Sequence, residues 1–183
     1  MPMNRFVSNL DPVIAAQDQC DKHLRKMITE EGQMLSSVIR HFGVMDDDRL
    51  MGMPPNHLKH DCYEWLLQGY ANFSWAMRHW DGLAAEYQYR FDKVHGTETR
   101  LTELFQACKS VEFHHLWGEL QDHTPHPQCF GKRWPHKTHE YWPVNAYRSY
   151  LRDYKPTQME MEWTRRQPPA WFTRRHTHAQ TSN

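Results

Sequence analysis

The sequence predicts a mainly α-helical protein with a single compact domain. Its 183 residues suit one domain. Apolar residues recur at helical spacing in several stretches, and no stretch of useful length alternates between apolar and polar residues as a strand would. We therefore expect one helical domain over residues 1–175, interrupted by a long irregular segment rich in Pro and His, and a flexible tail over 176–183.

The N-terminal part contains the clearest helix signals. Asp11-Pro12 is a typical helix start, with Asp as the N-cap and Pro in the first helical position. The most strongly periodic segment runs over about 20–42 and ends before Gly43. Asp, Gly and Pro cluster over 45–55, which predicts a loop.

The remaining elements follow from the same criteria. Three more helices are predicted over 61–79, 81–93 and 97–109, the last with Thr97 as its cap. A turn or two is expected over 113–120, an irregular segment over 123–142, a helix over 144–153 and a last helix over 156–166 before Pro168-Pro169.

Composition excludes several classes of protein. Mean hydropathy is −0.90, and no run approaches the roughly 20 apolar residues that span a bilayer, so we expect no membrane partner. The N-terminus lacks the apolar stretch of a secretory signal. The four cysteines form no CxxC pair, which favours reduced thiols in a cytoplasmic protein. They are Cys20, Cys62, Cys108 and Cys129.

The charge is balanced overall but unevenly distributed. The chain has 22 basic and 22 acidic residues. Residues 132–178 contain ten basic and four acidic residues, a net +6, so the remainder carries −6. Such asymmetry can present a basic face to a polyanion. The alternative is a solvated basic tail with no partner.

One helix carries a dense polar stripe. Within the predicted helix over 20–42, residues three, four and seven apart share a face, which places His23, Lys26, Glu30 and Gln33 together. A carboxylate held near basic groups can stabilise a developing sugar cation or transfer a proton. The alternative is a surface stripe of ion pairs, each contributing only tenths of a kcal/mol.

These residues carry a resemblance to a known family. Asp21-Lys22-His23-Leu24, followed by Lys26, Glu30 or Glu31, Gln33 and Leu35, resembles a signature of bacterial and phage proteins in the pyrimidine-dimer DNA glycosylase (endonuclease V type) superfamily. Further segments look like parts of small phage proteins. They are 59–65, 72–75, 86–95, 146–148 and 166–172.

The resemblance implies a helical enzyme that binds double-stranded DNA, flips a nucleotide and cleaves the N-glycosidic bond, with possible lyase activity on damaged or modified pyrimidines. A terminal amine is the nucleophile in that family, which implies Pro2 after removal of Met1. Glu30 takes the carboxylate role, with Glu31 as the competing choice. Lys22 or Lys26 could substitute as the amine if burial lowered its pKa.

The same resemblance and the physics of base flipping imply a set of DNA contacts. His23 and Gln33 would face the DNA, aromatic residues would stack on bases, and arginines would contact phosphates. The expected nucleic-acid-binding residues are Lys22, Gln33, His60, Asn72, Tyr87, Arg90, Arg165, Arg166 and Trp171; Arg174 and Arg175 would add to the basic end. If the protein is encoded by a phage, it would act in the cytoplasm of the bacterial host.

Other interpretations remain open. A non-catalytic DNA- or protein-binding module could keep the same helix as structure, and a related transferase could hypermodify a flipped base. Metal-ligating side chains also cluster in the irregular segment and would suit zinc. They are His123, His126, Cys129, His136 and His139. Because loop histidines are common in so His-rich a chain, we predict neither a metal nor a cofactor.

Overall fold

A computed structural model describes residues 4–110, 113–118, 122–130 and 134–173. Across these ranges the regular structure consists of six α-helices with short 3₁₀ and π turns, and no strand occurs. The prediction of a mainly α-helical fold is therefore confirmed. The expected tail over 176–183 lies outside the described residues.

The helices lie in the following order along the chain. They are α1 (Pro12–Gln17), α2 (Asp21–His41), α3 (Asp61–Gln68), α4 (Tyr70–Phe91), α5 (Gly96–Ser110) and α6 (Val144–Ser149). A π turn (Tyr150–Tyr154) continues α6 and leads into a 3₁₀ turn (Lys155–Thr157). Two further 3₁₀ turns are Pro55–His57 and His114–Trp117.

The predicted signals at the ends of α1 and α2 are confirmed. The Asp11 carboxylate accepts hydrogen bonds from the amides of Val13 (2.8 Å) and Ile14 (3.2 Å), as an N-cap does. Beyond the C-terminus of α2, Gly43 has a φ of +62°, a conformation that glycine adopts without steric cost.

The boundary between the two central helices differs from the prediction. The chain breaks at Gly69, whose backbone is extended, and α4 then continues without interruption past Trp80 and Asp81. Trp80 lies in the middle of this helix, and its side chain is buried in the core. The Asp81 carboxylate pairs with Lys109 of α5 at 2.6 Å. The polar Asp81 therefore belongs to a helix–helix contact and not to a helix end.

Two further predictions about helix ends are wrong. Thr97 lies inside α5, and the ring Nδ1 of His95 accepts the Thr97 amide in its place (3.1 Å). The predicted helix over 156–166 is only the 3₁₀ turn at its start. The Glu162 carbonyl accepts the Asp21 amide (2.8 Å), and the Thr164 amide and hydroxyl donate to the Asp21 carboxylate. These bonds hold the segment against the start of α2.

The core forms around α4, which packs against α1, α2 and α3. Its Trp80 indole donates to the Ile28 carbonyl of α2 (3.1 Å), and Gly32 lets α2 approach α5 closely. A Cβ at Gly32 would lie 2.9 Å from both Leu101 and Thr97. None of the described helices combines the length and apolar character needed to cross a bilayer.

Candidate active site on helix α2

Glu30 lies at the centre of the polar stripe on α2. Its Oε1 pairs with the Lys26 ammonium at 2.6 Å, and its Oε2 accepts the backbone amide of Asn4 at 3.3 Å. The residue is only 8% exposed. The N-terminal segment of the described chain therefore runs directly over this carboxylate.

His23 lies about two turns before Glu30 on α2 and is buried. Its ring lies 4.5 Å from that of Phe6, and neither ring nitrogen has a hydrogen-bond partner within the described part of the chain. Burial, together with the positive charges of Lys155 and Lys26, lowers the pKa of His23 to about 3. The predicted position facing DNA is therefore wrong for His23, whose neutral ring is enclosed by the protein.

Lys155 is a member of this cluster that the sequence analysis did not identify. Its ammonium lies 5.7 Å from the centre of the Phe6 ring and 5.4 Å from that of Tyr150. Burial and the neighbouring charge of Lys26 lower the pKa of Lys155, while Glu30 opposes the shift. A desolvated lysine of lowered pKa is a better nucleophile than an exposed one. Nothing in the sequence around Lys155 marks it, because only tertiary packing brings it to α2.

Glu31, the competing carboxylate, has a different environment. It is buried, and its two oxygens accept the Arg5 Nε at 2.8 and 3.0 Å. Desolvation acts to raise its pKa, but the Arg5 guanidinium and His79 outweigh that effect and lower it. The Arg5 guanidinium also lies 5.1 Å from the Trp65 ring. Glu31 thus holds the N-terminal segment in the core, whereas Glu30 lies among the basic groups on the stripe.

Two predicted DNA-binding residues are engaged inside the protein. Asn72 is fully buried. Its Nδ2 donates to the Trp65 carbonyl and the Thr124 hydroxyl, and its Oδ1 accepts the Thr124 amide. Arg90 is 1% exposed and its guanidinium binds Glu86 and Asp21. Neither side chain can reach a base or a phosphate in this structure, because its polar atoms are already bonded internally. These two predictions are therefore wrong.

The other predicted contacts on α2, α3 and α4 are more accessible. Lys22 is exposed, and Gln33 and Tyr87 are half-buried. The Tyr87 ring packs edge-on against that of Phe91. His60 is the half-buried N-cap of α3, where its Nδ1 accepts the Cys62 amide.

The predicted basic end is largely neutralised where the structure describes it. Arg165 pairs with Asp92, and Arg166 makes two bonds to Glu86 at 2.5 and 2.7 Å. Trp171 is half-buried and its indole donates to the Asp18 carboxylate (3.0 Å). The remaining predicted residues, Pro2, Arg174 and Arg175, lie outside the described residues.

The possible zinc ligands of the irregular segment, for which no metal was predicted, do not come together among the described residues. His123, His136 and His139 are exposed, and His126 is buried with its Nδ1 2.8 Å from the Pro127 carbonyl. Cys129 instead joins His60 and Cys62, and the ligand atoms of these three residues lie within 4.8 Å of one another. Of the side chains considered in the sequence, only Cys129 belongs to this group; His60 and Cys62 come from the start of α3.

No family model, no curated protein and no solved structure matches this chain. The chemistry of the cluster on α2 is therefore what points to a function.

Proposed function

We propose that this protein is a DNA base-processing enzyme, most concretely a DNA glycosylase with lyase activity on damaged or modified pyrimidines, and that Glu30 is its catalytic carboxylate. One observation carries the proposal. A nearly buried carboxylate lies against the Lys26 ammonium and the Asn4 amide, beside a lysine, Lys155, whose pKa is lowered by burial.

These groups match the needs of N-glycosidic cleavage through an amine. The Lys155 amine, once it has lost its proton, forms a bond to the sugar C1′, and the base leaves with the electron pair of the broken C–N bond. Glu30 accepts the proton that the attacking amine loses and stabilises the positive charge that develops on the sugar. Opening of the sugar ring then gives an iminium between Lys155 and C1′, from which elimination breaks the DNA strand.

His23 has a supporting role in this proposal. Because its ring is neutral, it places no positive charge on this part of α2. A charged imidazolium at the same place would repel the developing sugar cation. The low pKa of His23 therefore suits the site.

The proposal is tested by incubating the protein with duplex oligonucleotides that contain an abasic site, a pyrimidine dimer or a modified pyrimidine. Base release and strand cleavage are measured for the wild type, for Glu30→Gln and for Glu103→Gln. Glu103 is a matched control because its side chain is 82% exposed on α5. We expect Glu30→Gln to lower the rate by roughly 100-fold or more, the usual contribution of a general base, and Glu103→Gln to leave it unchanged.

Two outcomes would overturn the proposal. One is DNA that is bound but never cleaved by the wild type, which would favour a non-catalytic binding module. The other is an intact strand with an altered base mass, which would favour a base-modifying transferase.

A further inference from the structure

We propose that His60, Cys62 and Cys129 bind a thiophilic divalent cation, Zn²⁺ in the first place, between α3 and the irregular segment. Their ligand atoms lie within 4.8 Å of one another. The two Sγ atoms are 3.1 Å apart, and both cysteines are free thiols. Two thiols and one imidazole form a donor set that zinc prefers.

The imidazole is already arranged for such a role. His60 Nδ1 accepts the Cys62 amide at 3.2 Å, so this nitrogen carries a lone pair and is directed at the first turn of α3, where Cys62 also lies. A metal ion held between the two sulfurs can take this lone pair in place of the amide. The proton of the ring then stays on Nε2, where it can bond to solvent because His60 is only half-buried.

Positive charge lies close to Cys62. The fully buried Arg5 guanidinium donates to the Cys62 carbonyl at 3.3 Å, and the positive end of the α3 dipole lies at Cys62. Two thiolates and one Zn²⁺ add no net charge. The buried Arg5–Glu31 pair therefore stays balanced when the ion binds.

The geometry requires only a small adjustment. Two thiolates on one tetrahedral zinc lie about 3.8 Å apart, given Zn–S bonds of about 2.3 Å, so the sulfurs must separate slightly. Cys129 lies on an irregular segment and is less deeply buried than Cys62. Three protein ligands leave a fourth position for water, which is the coordination of open zinc sites.

Three donor groups close together suit a metal ion, whereas a disulfide would use only the two sulfurs and leave His60 as the N-cap of α3. The ion would also order the neighbouring chain. Asn4 donates its side-chain amide to the Cys129 carbonyl at 2.9 Å and its backbone amide to Glu30. The inference does not depend on the proposed function, since metal binding is measured without DNA.

The test uses the full chain, reduced and stripped of metal with a chelator. Zn²⁺ is added, free metal is removed by gel filtration, and bound metal is measured by elemental analysis; Co²⁺ is titrated in parallel and followed by its thiolate charge-transfer absorption. We expect one ion per chain, the charge-transfer band, and a rise in Tm of about 5–10 °C at saturating Zn²⁺.

Three variants assign the ligands. Cys129→Ser and His60→Asn should weaken Zn²⁺ binding by at least roughly 100-fold, because each removes a direct ligand. Loss of a group that only hydrogen-bonds a metal ligand already lowers metal affinity by about 10–100-fold. Asn at position 60 retains an N-cap for α3, so circular dichroism should show an unchanged helix content. Cys108→Ser is the matched control, because Cys108 is also buried but lies on α5, outside the group.

The inference is overturned if the reduced wild type retains no zinc after gel filtration, or if Cys129→Ser retains as much as the wild type. It is equally overturned if the freshly isolated chain has lost two hydrogens to a Cys62–Cys129 disulfide and takes up no metal after reduction.

Discussion

Glu30 and Glu31 are consecutive residues of α2, yet they have different roles because neighbouring positions on a helix point in different directions. Glu31 points into the core and pairs with Arg5, while Glu30 points toward Lys26 and the N-terminal segment. The resemblance favours Glu30 for the carboxylate role and leaves Glu31 as the competing choice. Only the position of Arg5, 26 residues away in sequence, distinguishes a carboxylate that stabilises the fold from one that is free to act in catalysis.

This difference predicts opposite phenotypes for two conservative variants. Glu31→Gln should lower the free energy of unfolding by about 3–5 kcal/mol, because it leaves the Arg5 charge buried without compensation. Glu30→Gln should change stability by less than about 1 kcal/mol, because Lys26 remains partly exposed to water. Urea unfolding of both variants measures this directly. Equal destabilisation by the two substitutions would contradict the assignment.

The buried His23 predicts a pH dependence of stability. Its pKa falls from 6.5 in the unfolded chain to about 3 in the folded protein. The unfolded state therefore binds the proton first as the pH decreases, and stability is lost below about pH 6.5. Between pH 7 and pH 5 this group alone should lower the free energy of unfolding by about 2 kcal/mol.

His23→Phe provides the control, since Phe also packs against Phe6 and has no titratable nitrogen. Urea unfolding at pH 7 and pH 5 should show a smaller loss of stability for the variant than for the wild type, by about that same 2 kcal/mol. Burial also lowers the pKa of His126. Its contribution to the pH dependence of stability is the same in both proteins and cancels in the comparison. An identical pH dependence in the two proteins would refute the prediction.

At the level of elements, the close approach of α2 and α5 depends on Gly32. A Cβ there would lie 2.9 Å from Leu101 and from Thr97, closer than packed side chains normally approach. Gly32→Ala should therefore destabilise the protein by about 1–3 kcal/mol, although Ala is the better helix former. Gly96→Ala, where nothing lies within 4 Å of the added Cβ, should be neutral or slightly stabilising. Thermal unfolding of both variants is the measurement, and a Gly32→Ala protein as stable as Gly96→Ala would contradict the packing.

The helices that sequence reasoning located best were those with both periodicity and a local end signal. Asp11-Pro12 and Gly43 are such signals, because capping and positive φ are properties of single residues. The predicted helix boundary before Asp81 was wrong, because the Asp81 carboxylate pairs with Lys109 on another helix. The predicted helix over 156–166 was wrong because the Thr164 amide bonds the Asp21 carboxylate. Asp21 lies 143 residues away in sequence, so the sequence around Thr164 does not indicate this bond.

At the level of the whole molecule, the site is assembled from distant parts of the chain. Asn4 comes from the N-terminal segment, Lys26 and Glu30 from α2, and Lys155 from the turn after α6. The stripe on α2 was predictable because helical spacing fixes it. Lys155 was not, because its place depends on how the C-terminal segment returns across the start of α2. Asn72 and Arg90 are buried and therefore do not face DNA in this structure. The sequence could not show this, because Thr124 and Asp21, to which they bond, are distant in the chain.

Part of the basic charge in the C-terminal stretch is used in ion pairs inside the protein. Arg166 binds Glu86, which also binds the buried Arg90, and Arg90 in turn binds Asp21. These ion pairs join α4, α2 and the C-terminal segment. The described part of the basic stretch thus contributes to the fold as well as to any charged surface.

The central claim is that an amine beside Glu30 forms a covalent intermediate with DNA. The most direct measurement is borohydride trapping on an oligonucleotide containing an abasic site, followed by peptide mapping of the adduct. We predict a stable adduct on Lys155 that disappears in Lys155→Ala, and that forms at least roughly 100-fold more slowly in Glu30→Gln. An adduct in the N-terminal segment would move the nucleophile to the position first expected from the sequence. The absence of any adduct, with unchanged DNA after prolonged incubation, would contradict the account.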